Sequence, residues 1–483
     1  MSLQSVFQVC FGFFDSKPVV VEPQDGQFTT DAGLLPFRQF DEKLGFTQQF
    51  ATALNDPRDP AATTHSFTEM VRVRIFGILA DYADQNDHDL LRTDPLFKLL
   101  AGRSPDDGPL ASQPTLSRFE NAIDIPSLWR LRDVFIDQFI ASFTETPLHL
   151  TFDVDTFDDP THGQQQLTFF HGFYDQYQYL PRVITCAQND MVVMVSLLFG
   201  IASPFLGFDR DLEYLVNRLR AVWPDVQIKL RADSGFASPE VYDACERLRL
   251  IYTIGLGMNA VLKRRSEAIL AEVVAEYERT KELQRQFTAF SYQAASWPHA
   301  RFVVLKAEAN PQGTNRRAVV TNRPGAEVIP SAAYDEYTER GESENRNKEL
   351  KNGLQADRLS DHRYLANFFR LYLHSAAANL LARMRPVIAD PPPPPSTTDD
   401  LPREALSGKQ RRDYFNLRRQ RDPLGEGHPC TWRTRLIKVA AEITVSARRI
   451  VVHLAGSWPY LDHYQHVAER VLAFCQTPVA STG

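Results

Sequence analysis

Residues Tyr334 to Ser360 read YDEYTERGESENRNKELKNGLQADRLS. The stretch is rich in Glu, Lys, Arg, Asn and Leu and has no proline, and Pro330-Ser331 precedes it. It predicts one helix with Ser331 as cap. Tyr337, Arg340, Glu344 and Lys351 stand at offsets 0, 3, 7 and 14. At about 100° per residue these offsets span roughly 60°, so the four share one face. Lys348 joins them, whereas Glu339, Glu342 and Glu349 point away. A solvated helix with i,i+4 pairs such as Glu344–Lys348 is the plain reading. A core helix would carry Leu and Ile on that face. One carboxylate between an aromatic and several cations acquires meaning only from the rest of the chain.

The chain has 483 residues, 43% of them hydrophobic, which is enough for a large core and more than one domain. A net charge of −7 decides nothing about a polyanionic partner; the distribution of charge must. Cys10, Cys186, Cys245, Cys430 and Cys475 are odd in number and form no CxxC pair. That argues against a disulfide framework or a cysteine zinc site and points to a reducing cytoplasm. No signal peptide and no membrane span is expected.

The first 30 residues read as a β-ribbon or extended arm. A helical block follows to about residue 121, including LRTDPLFKLLAG and LASQPTLSRFEN, where Thr115 or Ser117 is a possible cap. This block suits end recognition or dimer contacts, or a plain supporting bundle. After the helix PSLWRLRDVFIDQFIASF come TPLHLTFDVDTFDD and two further strand-like runs, then helix, strand, helix and strand. That order predicts a mixed α/β sheet with helices packed on it. Residues 263–333 interrupt the rhythm with one helix and three β-prone runs. LANFFRLYLHSAAANLLARMRP reads as a buried helix. Beyond the polyproline run Pro391–Pro395, the span from Arg403 to Arg449 holds 12 Lys/Arg against 5 Asp/Glu, an excess of 7 that a phosphate backbone would favour. The tail is expected to pack back on the main sheet.

Cleavage of a phosphodiester by two divalent metal ions needs carboxylates converging on ions roughly 3.5–4 Å apart. Hard oxygen ligands suit Mg²⁺ or Mn²⁺. Asp153 and Asp155 alternate to the same face of a strand, where charge is costly unless paired or metal-bound. Asp155, nearer the strand end, is the preferred ligand and Asp153 the alternative. Asp158 and Asp159 read as turn formers. Asp233, in KLRADSGF, sits where a strand ends, either as a ligand or as the cap of the next helix. Glu344 is the third acid. His162 reads as a turn residue.

LRADSGFASPE, DVDTFDDPTHG, LRTDPLFKLLAG, LASQPTLSRFEN and the Y-x2-R-x3-E-x6-K pattern occur together in this chain. In combination and order they resemble bacterial insertion-sequence transposases of the DDE class, in the insertion-sequence 1380 branch related to the group with the YREK signature. The resemblance runs from about residue 25 to 385. It implies an RNase H-like core with a triad of Asp155 (or Asp153), Asp233 and Glu344 and two Mg²⁺ or Mn²⁺ ions. It implies a β-rich insertion domain at 263–333, between core parts 146–262 and 334–388. A helical DNA-binding or dimerisation region, 1–145, and a C-terminal region, 389–483, flank the core. Tyr337, Arg340, Lys348 and Lys351 would contact DNA near the cleaved end. Trp297 would stack on a flipped base or, alternatively, fill a small core. Partners implied are double-stranded DNA (terminal inverted repeats and target) and a second copy in a synaptic dimer, in a bacterial cytoplasm at the nucleoid. Phe157 and Gln166 depart from the family pattern.

Two rivals stand beside this. One is a domesticated DNA-binding protein that lost the chemistry. The other is a carboxylate-pair hydrolase such as a glycosidase, using Asp153, Asp155 and Asp233.

Overall fold

The computed structural model describes residues 8–11, 17–161, 163–172, 174–389, 424 and 427–477. His162 and the basic run 409–421 lie outside the described residues.

Strands β1 (Val9–Phe11) and β2 (Val19–Val21) form an antiparallel ribbon. After β3 (Phe28–Thr29) come helices α1 (Leu35–Leu44), α2 (Phe46–Thr52), α3 (Phe67–Leu79), α4 (His88–Leu91), α5 (Pro95–Ala101), α6 (Gln113–Asn121) and α7 (Ile125–Ile140). Their ends obey local chemistry. In TDPLFKLLAG, Asp94 accepts hydrogen bonds from the Leu96 and Phe97 N–H groups, Pro95 opens α5, and Gly102 closes it with φ 91°. Thr115 and Ser117 are not caps; α6 starts at Gln113 with Ser112 before it, because Pro114 suits a first turn.

The main sheet has ten strands. They are β4 (His149–Thr156), β5 (Asp159–Pro160), β6 (Phe169–His171), β7 (Gln176–Cys186), β8 (Val192–Phe199), β9 (Gln227–Ala232), β10 (Ile251–Leu256), β11 (Gln284–Tyr292), β12 (Arg301–Asn310) and β13 (Gly313–Thr321). Helices α8 (Phe208–Val222), α9 (Pro239–Arg247), α10 (Ala260–Arg265) and α11 (Glu267–Thr280) lie between strands. β4 is central: it pairs parallel with β9 and antiparallel with β7, and β9 pairs parallel with β10. The strands of 263–333 do not make a sheet of their own. β13 pairs antiparallel with β10, so β13, β12 and β11 extend the main sheet to its edge. The exposed hydrogen-bonding edge of β10 supplies the reason.

Tyr334–Ser360 is not one helix. It is α12 (Pro330–Thr338), α13 (Arg340–Lys348) and a π turn, Glu349–Gly353. Ser331 lies inside α12 and Ile329 precedes it as the cap position. The Thr338 hydroxyl donates to the Asp335 carbonyl, which competes with the helix, and Gly341 weakens its continuation. Then α14 (Tyr364–Ile388) runs through the core, buried nearly all round.

The helical block and α14 share one core, knit by charge as well as by apolar contact. Glu120 of α6 takes Arg74 Nε of α3 at 2.7 Å and Arg370 Nε of α14 at 2.6 Å, all three buried. Glu120 and Asn121 of the SRFEN run thus hold the frame; Asn121 Nδ2 donates to Asp361 just past the π turn at 2.9 Å.

The tail does not return to the main sheet. β14 (Ala441–Val445) and β15 (Ile450–Leu454) join β3 in a small sheet. Part of its charge is used internally. Arg433 donates from Nε and Nη2 to the carbonyls of Leu79 and Ile78 at the end of α3, and Lys438 pairs with buried Asp31 at 2.7 Å. The tail's backbone closes on Gly33, where a Cβ would stand 1.8 Å from the Leu436 carbonyl oxygen. Gly33→Ala is therefore expected to cost at least about 1–3 kcal/mol as an overpacked contact. Thermal melting of the variant should show a lower midpoint; an unchanged one would mean that the tail is not docked here.

Candidate active site

The alternation of β4 sends Leu150, Phe152 and Val154 into the core beneath α8 and α9. Asp153 and Asp155 therefore face the other way, toward α12 and α13. Their environments differ sharply. Asp153 is buried, with Oδ1 2.7 Å from Arg231 Nε and Oδ2 2.8 Å from Arg231 Nη2. Arg231 sits opposite it on β9 and also donates from Nη1 to the Glu336 carbonyl and to Glu339. Both Asp153 oxygens are occupied by a bidentate ion pair that pins β4 to β9 and α12. In this structure Asp153 is the ion-pair partner of Arg231.

Asp155 is two residues further along. Val154 pairs with Ala232, so Asp155 and Asp233 come on the next rung of adjacent parallel strands, at their carboxyl ends. Asp233 Oδ1 accepts the Gly235 N–H at 2.9 Å, capping the short turn Ser234–Phe236, so the capping role is present alongside the strand-end position. Glu344 is half exposed on α13. Arg340 joins it to the strand: Nη1 is 2.8 Å from Glu344 Oε1, and Nη2 is 2.9 Å from Asp155 Oδ2. The structure thus brings Asp155, Asp233, Arg340 and Glu344 together, although Asp233 and Glu344 are 111 residues apart in sequence.

Burial raises the Asp155 carboxyl to about 6; Arg340 opposes the rise, neighbouring Asp233 adds to it, and hydrogen bonds from the Thr156 N–H and the Asn347 amide counter it. Two buried polar atoms here have no partner among the described residues, Arg340 Nε and Asn347 Oδ1. An acid whose folded pKa lies above its unfolded value binds more protons folded than unfolded between roughly pH 4 and 6. Its contribution to stability therefore falls as pH rises through that window. Metal-free Asp155→Asn is accordingly expected to melt higher than the parent at pH 8, with the gap closing toward pH 4. Melting scans across that range check it, and a variant melting lower at pH 8 would refute the charge cost assigned to Asp155.

Tyr337, on α12, sets its hydroxyl against Gly255 of β10. A Cβ on Gly255 would stand 2.8 Å from that hydroxyl and 3.0 Å from the Ser234 amide nitrogen. Tyr337 is therefore beside the Asp233 turn. Burial raises its pKa, and Arg340 opposes the rise. Lys348 is exposed. Lys351 lies on the π turn, where the α-helical offset no longer applies, and its Nζ pairs with Asp158 at 2.6 Å. Asp158 and Asp159 are not turn formers: Asp158 holds Lys351, and Asp159 is buried in β5, its carboxyl pushed well above the usual range by burial.

Trp297 is 6% exposed and stands edge-on to Tyr242 and Tyr292 in the core under the sheet. Its ring packs in the core here, against Tyr242 of α9. Nearby, Asp243, Glu246 and His299 draw together around Arg301, whose Nε lies 3.0 Å from Glu246. A guanidinium already supplies the positive charge in that cluster, away from the strand-end acids. Sequence reading missed Arg231 as the partner of Asp153. The signal was present: a lone charge on a central strand needs a partner at the same register on its neighbour.

A mixed α/β sheet with acids at the carboxyl ends of two adjacent parallel strands defines the class. Residues 11–391 match the family model described as transposase DDE domain group 1, and the chain belongs to that family. Membership implies DNA transposition and recombination. No curated protein matches. Among solved structures, the chain is similar to the piggyBac transposase synaptic complex with hairpin DNA, determined by cryo-EM. Identity is 15% over 75% of this chain and 77% of that one, with a TM-score of 0.38. Among the described residues, no helix is long and apolar enough to cross a membrane.

Proposed function

We propose that this transposase cleaves and rejoins DNA at a site made of Asp155, Asp233 and Glu344. The observation that carries the reading is their convergence: two strand-end carboxylates on one rung of adjacent parallel strands, with the third tied to the first through Arg340. The order β8-β7-β4-β9-β10, antiparallel for three strands and then parallel, supports an RNase H-like core. On that reading 146–262 and 334–388 form the core, 263–333 is an insertion grafted on its β10 edge, and 1–145 and 389–483 flank it.

The oxygen donors fit two Mg²⁺ or Mn²⁺ ions. Asp155 is a partly buried acid raised first by burial and further by neighbouring Asp233, beside an Asn347 oxygen with no partner among the described residues, and such a group gains from a cation. When bound, the ions supply Lewis-acid stabilisation of the phosphate. Asp155, Asp233 and Glu344 hold the ions; Tyr337, Arg340, Lys348 and Lys351 orient the DNA strand by aromatic contact and by charge-assisted hydrogen bonds to phosphate. The substrate is double-stranded DNA, the terminal inverted repeats of an insertion sequence of the 1380 type, held by two copies of the chain and joined by its 3′ ends to target DNA. Asp153 is committed to Arg231, which removes an acid that a glycosidase reading relied on. The test is cleavage of a linear DNA carrying the gene's flanking repeats, with Mg²⁺ or Mn²⁺ and with EDTA. Metal-dependent nicking at the repeat boundary is expected; none with either metal would refute the reading.

A further inference from the structure

Arg340 makes two bonds that a phosphate-binding residue alone does not require. Its Nη2 and Nη1 hold Asp155 and Glu344, two of the acids read above as metal ligands. Its Nε is buried and has no partner among the described residues. The guanidinium therefore fills the gap between strand and helix with one positive charge, and its Nε–H donor is left over. A divalent ion on Asp155 and Glu344 would need the oxygens that Arg340 now occupies, and would stand beside its charge. Two oxygens of a DNA phosphate offer the same fork a bidentate acceptor.

We propose that Arg340 is a positioning residue that acts as a built-in counter-ion. In the DNA-free protein it keeps Asp155 and Glu344 together and opposes divalent metal; a DNA phosphate draws it off, so that DNA and metal bind cooperatively. This rests on the reading of Asp155, Asp233 and Glu344 as the metal site. Nothing is oxidised or transferred; ionic and hydrogen-bond partners are exchanged. Linkage makes the effect reciprocal: whatever the phosphate does for metal affinity, metal does for DNA affinity. The device would keep the nuclease idle until DNA is seated.

The experiment is Mn²⁺ binding to the full chain without DNA, monitored by the EPR signal of free Mn²⁺ at pH 8, where proton competition at Asp155 is small. Arg340→Gln is expected to bind Mn²⁺ more tightly than the parent by a factor in the range of about 5–150, the usual span of coupling between sites. Arg340→Lys keeps the charge and the stem but loses the fork, and should fall between them, so a misfolded glutamine variant does not end the test. Equal or weaker Mn²⁺ binding in both variants overturns the proposal. Asp155→Asn separates the two levels of inference. If it leaves Mn²⁺ binding of the parent and of Arg340→Gln unchanged, the metal-site reading itself fails. If it abolishes that binding while the Arg340 variants show no gain, only the counter-ion fails.

Discussion

Asp233→Asn is expected to lower metal-dependent strand cleavage by roughly 10³-fold or more, with Glu344→Gln and Asp155→Asn close behind. The size comes from the chemistry. Lewis-acid stabilisation of a transferring phosphoryl group contributes several kcal/mol, and each 1.36 kcal/mol is about tenfold in rate. An amide keeps the shape of a carboxylate but offers one neutral oxygen, so the ion is held weakly and out of place. Asp233 gives the cleanest test. Its Oδ1 also caps the turn Ser234–Phe236, and an asparagine oxygen caps as well as an aspartate one, so the turn should survive. Rate should fall while the melting temperature barely moves. Asp153→Asn should behave in the opposite way, because it removes the carboxylate charge and one of the two acceptor oxygens facing buried Arg231 while leaving the proposed metal ligands in place. Single-turnover nicking of repeat-bearing DNA, read beside thermal melts, distinguishes the two. Equal rate losses for Asp153→Asn and Asp233→Asn would refute the assignment of roles.

Glu120→Ala is expected to cost about 3–5 kcal/mol, the range for removing one partner of a buried ion pair, and to lie toward its upper end. The carboxylate serves Arg74 and Arg370 together, and both are buried with it. The arginine charges hold Glu120 below the usual carboxylate range despite its complete burial, so it remains ionised at neutral pH. Without it, two guanidinium groups face each other in the core. Arg74 already abuts His88, its Nη1 3.0 Å from Nε2, and burial with that arginine drives His88 well below its ordinary range. Arg370 would keep Asp361, 3.5 Å from its Nη2, whereas Arg74 would be left with the Ala83 carbonyl and His88. The effect should reach the candidate site, since Arg370 also donates to Ser360 and Asp361 just beyond the π turn. Urea unfolding of Glu120→Ala should show an early loss of the helical signal; a midpoint like the parent's would show that the network is not structural. Glu120→Gln keeps both acceptors to a degree and should lie between them.

Much of the chain could be read before any coordinates. Composition and periodicity marked α5 and α7 as helical, and alternation put Asp153 and Asp155 on one face of β4. These features depend on neighbours a few residues away. What was misread depended on distant contacts. The stretch 334–360 has helical composition throughout, yet Thr338 and the packing around Glu349, held by Arg385 and His428, broke it into two helices and a π turn. The cations between Arg403 and Arg449 suggested phosphate, but of those described, Arg433 and Lys438 close on α3 and Asp31. Charge in a sequence does not say which carboxylate or carbonyl it will meet.

By itself the sequence determined which residues carry charge, which runs alternate and which segments are helical, because propensity and periodicity act within a turn or two. It also supplied the family signature. Tertiary structure alone decided that Asp153 pairs with Arg231, that Arg340 spans Asp155 and Glu344, and that Trp297 packs in the core. The first two of those outcomes rest on strand register and on partners some 80 to 190 residues away. Burial then set the energy of every charge involved, and burial is a property of the packed molecule.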